Sequence, residues 1–449
     1  MRHSSYRTTP VDTDRMPPGI GNILVNEAAE RFAFYGFNAI LAVFMTEALL
    51  GPGGALAVMT ETQAVKWVAW FKAATYAMPV VGAILADVWL GKYRTIIVFS
   101  VLYCAGFVAL VVDQTRLGLF AGLGLIAVGS GIIKPCVQAN VGDQFGARNE
   151  HLLSRVYAWF YFAINLGACA SMLLAPLLRK WYGFRVAFGV SALLMILALI
   201  VFWLGRRKYA HVPPAGGAFV RDCLSGEGLR VIGRLSVILV LVAVFWALFD
   251  QTLSAWILQA KKMNLRMLGV EWLPDQISSV NSALILVMIP LFNYVLYPAV
   301  NRIWRLTPLR KIGIGMFLAA GAFSVSALIE HRIESGFHPT GWWQILAYVI
   351  ITAAEIMVSI TFLEFSYTQA PKRMKSFIGS FYLLSIALGN VLTAVVNKMI
   401  ENPDGTSKLP GAGYYWFFVA VMVTTAVLFV PVAMVYRGKT YTQDDTNTG

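Results

Sequence analysis

Apolar residues run along this chain in stretches of about twenty or more, separated by short polar breaks. A helix of that length crosses roughly 30 Å of hydrocarbon, so each stretch reads as a transmembrane helix. Twelve are predicted, at about 20–49, 63–89, 94–112, 117–142, 154–178, 184–205, 233–258, 275–300, 309–329, 341–368, 376–400 and 411–436. The opening twenty residues are polar and Pro-containing and lack the basic-then-apolar pattern of a cleaved leader, so the first span is expected to be retained.

The longest inner break, Gly205 to Arg234, divides the spans into six and six. The expected organisation is a cytoplasmic tail at 1–19, a six-helix bundle at 20–205, a cytoplasmic linker at 206–232, a second six-helix bundle at 233–436 and a cytoplasmic tail at 437–449. Paired bundles are typical of secondary transporters, whose substrate site lies near the membrane midplane. No residue-level repeat relates the two halves.

Composition agrees with this reading. At 449 residues, 58% hydrophobic and 13% charged, the chain has more apolar surface than a soluble fold of its length buries, and is expected to be an all-α polytopic membrane protein. Its net charge of +13 is distributed unevenly. With the N-terminus inside, the inner segments hold about twice as many Lys and Arg as the outer loops, which places both termini in the cytoplasm. That distribution accounts for most of the positive charge and argues against a nucleic-acid partner.

Enzymatic readings fail on spacing. The Gly-Lys in "ADVWLGKYRT" is not a phosphate-cradling loop, because Ala86 and Tyr93 stand where that loop needs Gly and Ser or Thr; ATP is not the expected energy source. The glycine-rich "GLGLIAVGSG" (Gly122 to Gly131) lies in a span, where small residues let helices approach closely. Cys104, Cys136, Cys169 and Cys223 show no paired spacing, so neither a disulfide framework nor a metal site is expected. All five histidines fall in tails or loops, which leaves a carboxylate or a lysine to carry any intramembrane proton.

The candidate chemistry begins at "NEAAERFAFYGF" (Asn26 to Phe37). At 100° per residue Glu27, Arg31, Phe34, Tyr35 and Asn38 share one helical face, with Glu30 at its edge. Each central charge costs roughly 2.5–3.5 kcal/mol on insertion scales, so three together point to function. Lys72, Lys134, Asp250 and Glu355 lie in other spans, and a cavity lined by both signs of charge accounts for them.

These residues resemble a known family. "EAAERFAFYGF" is similar to the ExxERFxYYG motif of the proton-coupled oligopeptide transporters, a branch of the major facilitator superfamily. Further likeness at "GAILADVWLGKYRTI", "GIIKPCVQANVGDQF", "FYFAINLGA", "FWALFDQ" and "LEFSYTQAPKRMKS" spreads over both halves and keeps the family's order. The resemblance implies the major facilitator fold of twelve helices in two bundles, and a monomeric proton-coupled symporter of di- and tripeptides, not an enzyme. It would need no cofactor and would sit in the plasma membrane, or the inner membrane of a Gram-negative cell.

By the same resemblance, Arg31, Lys134 and Asn165 receive the peptide carboxylate, and Glu355 and Asn281 its amino end. Tyr35, Tyr76, Trp246 and Tyr382 line the cavity and side-chain pockets, Tyr382 standing in for a family tryptophan. Proton coupling falls to Glu27, Glu30, Arg31 and Lys134: a proton on either glutamate frees Lys134 for the substrate, and the halves rock inward. An inward proton gains roughly 2.3 kcal/mol per 100 mV across the full field. The departures matter too. Phe34 replaces the first tyrosine of the motif. Asn38 stands where many bacterial members carry an arginine paired with the acid matching Asp250. Ala69 occupies the place of the animal members' histidine, and Lys72, one turn further, is expected to pair with Asp250 at the outer gate. Some relatives move nitrate or small metabolites, and a non-transporting sensor is a third class, but Glu355 and Asn281 complete a zwitterion site that an anion does not require.

Overall fold

The computed structural model describes residues 6–146, 148–214, 226–368 and 375–436. Much of the expected linker, with Cys223, and the whole expected tail at 437–449 lie outside the described residues. In chain order the helices are α1 (Ile20–Glu47), α2 (Glu61–Ile84), α3 (Lys92–Val112), α4 (Arg116–Gly142), α5 (Leu153–Leu204), α6 (Gly226–Phe249) and α7 (Ala255–Ala260). They continue with α8 (Ser279–Leu291), α9 (Tyr297–Asn301), α10 (Pro308–Glu334), α11 (Trp342–Glu355), α12 (Thr361–Thr368), α13 (Lys375–Ile400) and α14 (Ala412–Val435). Between α7 and α8 a small antiparallel hairpin pairs β1 (Arg266–Met267) with β2 (Val270–Glu271).

This is a multi-pass helical membrane protein. Ten stretches among the described residues are long and apolar enough to cross a membrane. α1 is not one of them, because Glu27, Glu30 and Arg31 lower its hydropathy. One of the ten, Arg155–Arg207, contains two of the expected spans: at Gly183 the backbone turns to φ 82°, ψ 173°, a region that favours glycine, and the helix is interrupted there.

Two compact units make up the chain, and they follow packing instead of chain order. The first comprises residues 1–40, 48–57 and 74–221; the second comprises 41–47, 58–73 and 222–449. In the first, α3 lies along α4 and α5. The glycine-rich stretch of α4 consists of helix contacts: a Cβ on Gly129 would come within 2.8 Å of Phe99 O, and one on Gly131 within 2.3 Å of Thr75 O on α2. In the second, α10 packs on α14 and α11, and α6 packs on α13. At that last contact a Cβ on Gly389 would sit 2.3 Å from Ala243 O. Close backbone approach through small residues takes the place of the hydrophobic drive that lipid does not supply.

Candidate functional site

In the first unit, α1 carries a buried charge cluster. Glu27 and Glu30 are 3% and 2% exposed. The Arg31 guanidinium serves both, with Nε 2.7 Å from Glu27 Oε1 and 3.0 Å from Glu30 Oε2. One arginine thus answers two carboxylates three residues apart on the helix, and the cost of holding three charges in the membrane is offset by direct pairing. α5 reaches this turn closely, because Gly167 has no side chain: a Cβ there would lie 2.5 Å from Ala28 O and 3.1 Å from Arg31 Cβ. Two residues before it, Asn165 is buried and its amide donates to Tyr161 O at 2.8 Å.

Lys134, on α4, brings its ammonium over two aromatic faces, 3.8 Å from the Phe34 centroid and 4.6 Å from that of Tyr76. Tyr35 packs edge-on against Phe34, centroid to centroid 5.5 Å. Asn38 donates to Phe34 O at 2.7 Å and is buried. Glu27, Glu30, Arg31, Tyr35, Tyr76, Lys134 and Asn165 therefore all belong to one unit, the first three in direct ion pairs.

The second unit carries the remaining candidates. Asn281 Nδ2 donates to Glu355 Oε2 at 2.9 Å and to Thr352 Oγ1 at 3.0 Å, which orients the amide against the acid. Directly after Glu355 the helix widens into a π-turn, Ile356–Ile360, a local irregularity common at functional sites. Trp246 is buried and meets Tyr382 edge-to-face at 5.8 Å and 87°. The Tyr382 hydroxyl is 2.6 Å from Ser359 Oγ. The Trp246 indole N–H has no hydrogen-bond partner among the described residues.

Asp250 lies where α6 gives way to a tighter turn, Asp250–Leu253. Lys72, from the part of α2 that belongs to this unit, places Nζ 2.8 Å from Asp250 Oδ1 and 2.9 Å from its carbonyl oxygen. Asn390 on α13 donates to Oδ2. At the start of α2, Lys66 pairs with Glu401, Gln63 Nε2 donates to Glu401 Oε1 at 3.0 Å, and Thr60 Oγ1 donates to Gly405 O. Burial alone would raise the Glu401 carboxyl, but hydrogen bonds from Lys66 and Gln63 and the charge of Lys66 hold it below the usual glutamate range.

Sequence reasoning missed Asn390, Thr352, Ser359 and the Lys66–Glu401 contact. Thr352 had one available signal, since it stands three residues before Glu355 and so shares its helical face. Ser359, four residues after Glu355, had the same signal; Asn390 and the Lys66–Glu401 contact had none, because their partners lie far along the chain.

The POT family model matches residues 93–225 and 223–417. The chain is 36% identical to "Peptide transporter family 1" of Drosophila melanogaster over 367 aligned positions, taking in 71% of this chain and 48% of that one. It is 34% identical to "Solute carrier family 15 member 1" of Homo sapiens, with 71% and 52% covered. The chain therefore spans about half the length of the curated relatives it matches. Among solved structures it is similar to an auto-inhibited POT family peptide transporter, at TM-score 0.87 and 32% identity, covering 94% of this chain and 98% of that one. A second likeness is to the POT family transporter PepTSo, at TM-score 0.85 and 32% identity, with the same coverage.

Proposed function

This chain belongs to the POT family, and on that footing we propose that it is a proton-coupled symporter importing di- and tripeptides by alternating access. The observation that carries the reading is chemical complementarity. A dipeptide is a zwitterion. Arg31, Lys134 and Asn165 offer donors and positive charge for its carboxylate, and Glu355 with Asn281 offers an acid and an oriented amide for its amine. These groups would grip the backbone common to all peptides and leave side chains to pockets that Tyr35, Tyr76, Trp246 and Tyr382 line, which permits many sequences.

Coupling falls to the Glu27–Glu30–Arg31 cluster. Protonating either glutamate removes one of the two carboxylates that share the guanidinium, and releases the cations of this unit to the substrate. Lys72 and Asp250 hold α2 to the end of α6 as a gate. The protein works in this reading as a monomer in the plasma membrane, or in the inner membrane of a Gram-negative cell. Both termini are cytoplasmic, and the proton gradient drives it without a cofactor.

The test is dialanine uptake into proteoliposomes, with and without an inward proton gradient, for wild type, Glu27→Gln, Glu30→Gln and Lys134→Ala. Gradient-driven accumulation is expected for wild type and is lost in the glutamate variants, with counterflow exchange surviving in at least one of them. Absence of dialanine uptake by folded wild type would sink the reading and turn attention to nitrate and other small solutes.

A further inference from the structure

Two stretches able to cross a membrane, Pro274–Asn301 and Pro308–Glu334, are separated only by residues 302–307. A link that short keeps the turn at the membrane surface. Arg302, Arg305, Arg310 and Lys311 lie in it or just beyond it, and no Asp or Glu occurs between Asp275 and Glu330. None of the four cations enters an ion pair among the described residues. The turn therefore gathers positive charge without a carboxylate to balance it.

The same turn exposes large apolar side chains: Ile303 is 92% exposed and Trp304 48%. That surface is unfavourable in water, whereas at the boundary of headgroups and acyl chains the Ile gains burial and the Trp finds the level where its amphipathic ring is favoured. Its backbone is tied in place. Asn301 Oδ1 accepts from Leu306 N at 2.8 Å, Trp304 N donates to Val300 O at 2.8 Å, and Arg310 Nη1 donates to Arg305 O at 2.7 Å. The Arg310 guanidinium lies over the Trp304 ring, 4.8 Å from its centroid, and the Lys311 ammonium over that of Tyr297 at 4.0 Å. Stacking on a ring uses the face of a guanidinium and leaves N–H groups at its edge for an anion.

We propose that this turn is a docking surface for an anionic phospholipid: Arg302, Arg305 and Arg310 receive the headgroup phosphate, while Ile303 and Trp304 enter the acyl boundary beside it. Guanidinium forks match phosphate oxygens in geometry as well as charge. Charge alone would accept any anion; the apolar pair, set between the ends of two spans, selects a lipid. The inference stands apart from the peptide-symport reading.

The experiment titrates the full chain in detergent with phosphatidylglycerol, phosphatidylcholine or soluble glycerol phosphate, and counts bound molecules by native mass spectrometry. The first phosphatidylglycerol is expected to bind about ten- to a hundredfold more tightly than phosphatidylcholine. Replacing Arg302, Arg305 and Arg310 together by Gln should abolish most of that preference. Replacing Lys180, Arg266 and Arg332, exposed elsewhere, should preserve it at the same net charge. Ile303→Ser with Trp304→Ala should weaken phosphatidylglycerol binding with every arginine kept. Arg302→Gln and Arg305→Gln singly should each lose part of the preference, and they decide the question if the triple variant does not fold. An undiminished preference in the arginine variants, or binding indifferent to the apolar pair, would overturn the proposal. So would an equal loss in the control triple, which means diffuse attraction, or displacement of the lipid by equimolar glycerol phosphate, which means a site for free phosphate.

Discussion

Lys72 and Asp250 form a buried ion pair, Nζ to Oδ1 at 2.8 Å, with side chains 4% and 12% exposed. The lysine also donates to the Asp250 carbonyl, and the Asn390 amide occupies the other carboxylate oxygen. Removing one partner of such a pair leaves a desolvated charge, at a cost of about 3–5 kcal/mol, whereas neutralising both costs far less. Lys72→Met and Asp250→Asn are each expected to lower the thermal midpoint clearly, and the double variant to recover most of the loss. Strictly additive losses in the double variant would show that the two charges do not depend on one another. If the pair also gates transport, Lys72→Ala changes both uptake and its pH dependence, and unchanged values would exclude the gate.

The loop after α13 is tied to the start of α2 through Lys66 and Gln63 on Glu401 and through Thr60 on Gly405. Glu401 is held ionised below the usual glutamate range by these partners, despite its burial. A carboxylate with a depressed folded pKa contributes stability that is fully present above its unfolded pKa, about 4.3, and is lost only as pH falls through the lower folded value. The tie is therefore expected to survive acidification from pH 8 to pH 5. The difference in thermal midpoint between wild type and Glu401→Gln should stay constant over that range and shrink below about pH 4. A difference that disappears between pH 7 and 5 would mean that Glu401 titrates higher than its surroundings imply.

Much of this arrangement was legible in the sequence because charge in hydrocarbon is costly and therefore conspicuous. Glu27, Glu30, Arg31, Lys134, Asp250 and Glu355 each interrupt an apolar run; the Glu27–Arg31 pair follows from i, i+4 spacing and the Lys72–Asp250 pair from the family resemblance, whereas the bond between Asn281 and Glu355 was not foreseen. Asn390 is neutral and costs little to place in a span, so nothing in its local sequence marks it, and only their spacing from Glu355 marks Thr352 and Ser359. The Glu401 contact depends on which loop residue meets which turn of α2, a register set by tertiary packing across more than three hundred residues. The interruption at Gly183 was readable as a boundary between spans, but not as a single-residue break in one continuous helical run.

Gly131 and Gly124 lie two turns apart on α4 and differ in what surrounds them. A Cβ at Gly131 would meet Thr75 O at 2.3 Å and Met78 Cβ at 2.6 Å, whereas nothing lies within 4 Å of one at Gly124. Overpacking a tight contact costs typically about 1–3 kcal/mol. Gly131→Ala is expected to lower the thermal midpoint, while Gly124→Ala leaves it level or raises it slightly through better helix propensity. Equal behaviour of the two variants would remove the argument that the glycines of this stretch serve helix packing.

Glu355 decides between a zwitterion site and an anion site. Its Oε2 accepts from Asn281 at 2.9 Å, and the same amide is anchored on Thr352, so Glu355→Gln keeps the volume and much of the local hydrogen bonding while removing the charge. A hydrogen bond to a charged group is worth about 1.5–3 kcal/mol, which corresponds to roughly ten- to a hundred-fold in affinity. In proteoliposomes the variant is expected to take up dialanine with KM raised by about that factor. Wild type should discriminate strongly against N-acetyl-dialanine, which has lost the ammonium, and the variant should lose most of that discrimination. An anion transporter would behave in the opposite way: neutralising Glu355 would improve uptake of the acetylated, singly charged peptide or of nitrate, and the free amine would give no advantage to begin with. Comparing the two substrates on both proteins separates the loss of a specific ammonium contact from a general loss of function, because a merely damaged transporter loses both in proportion.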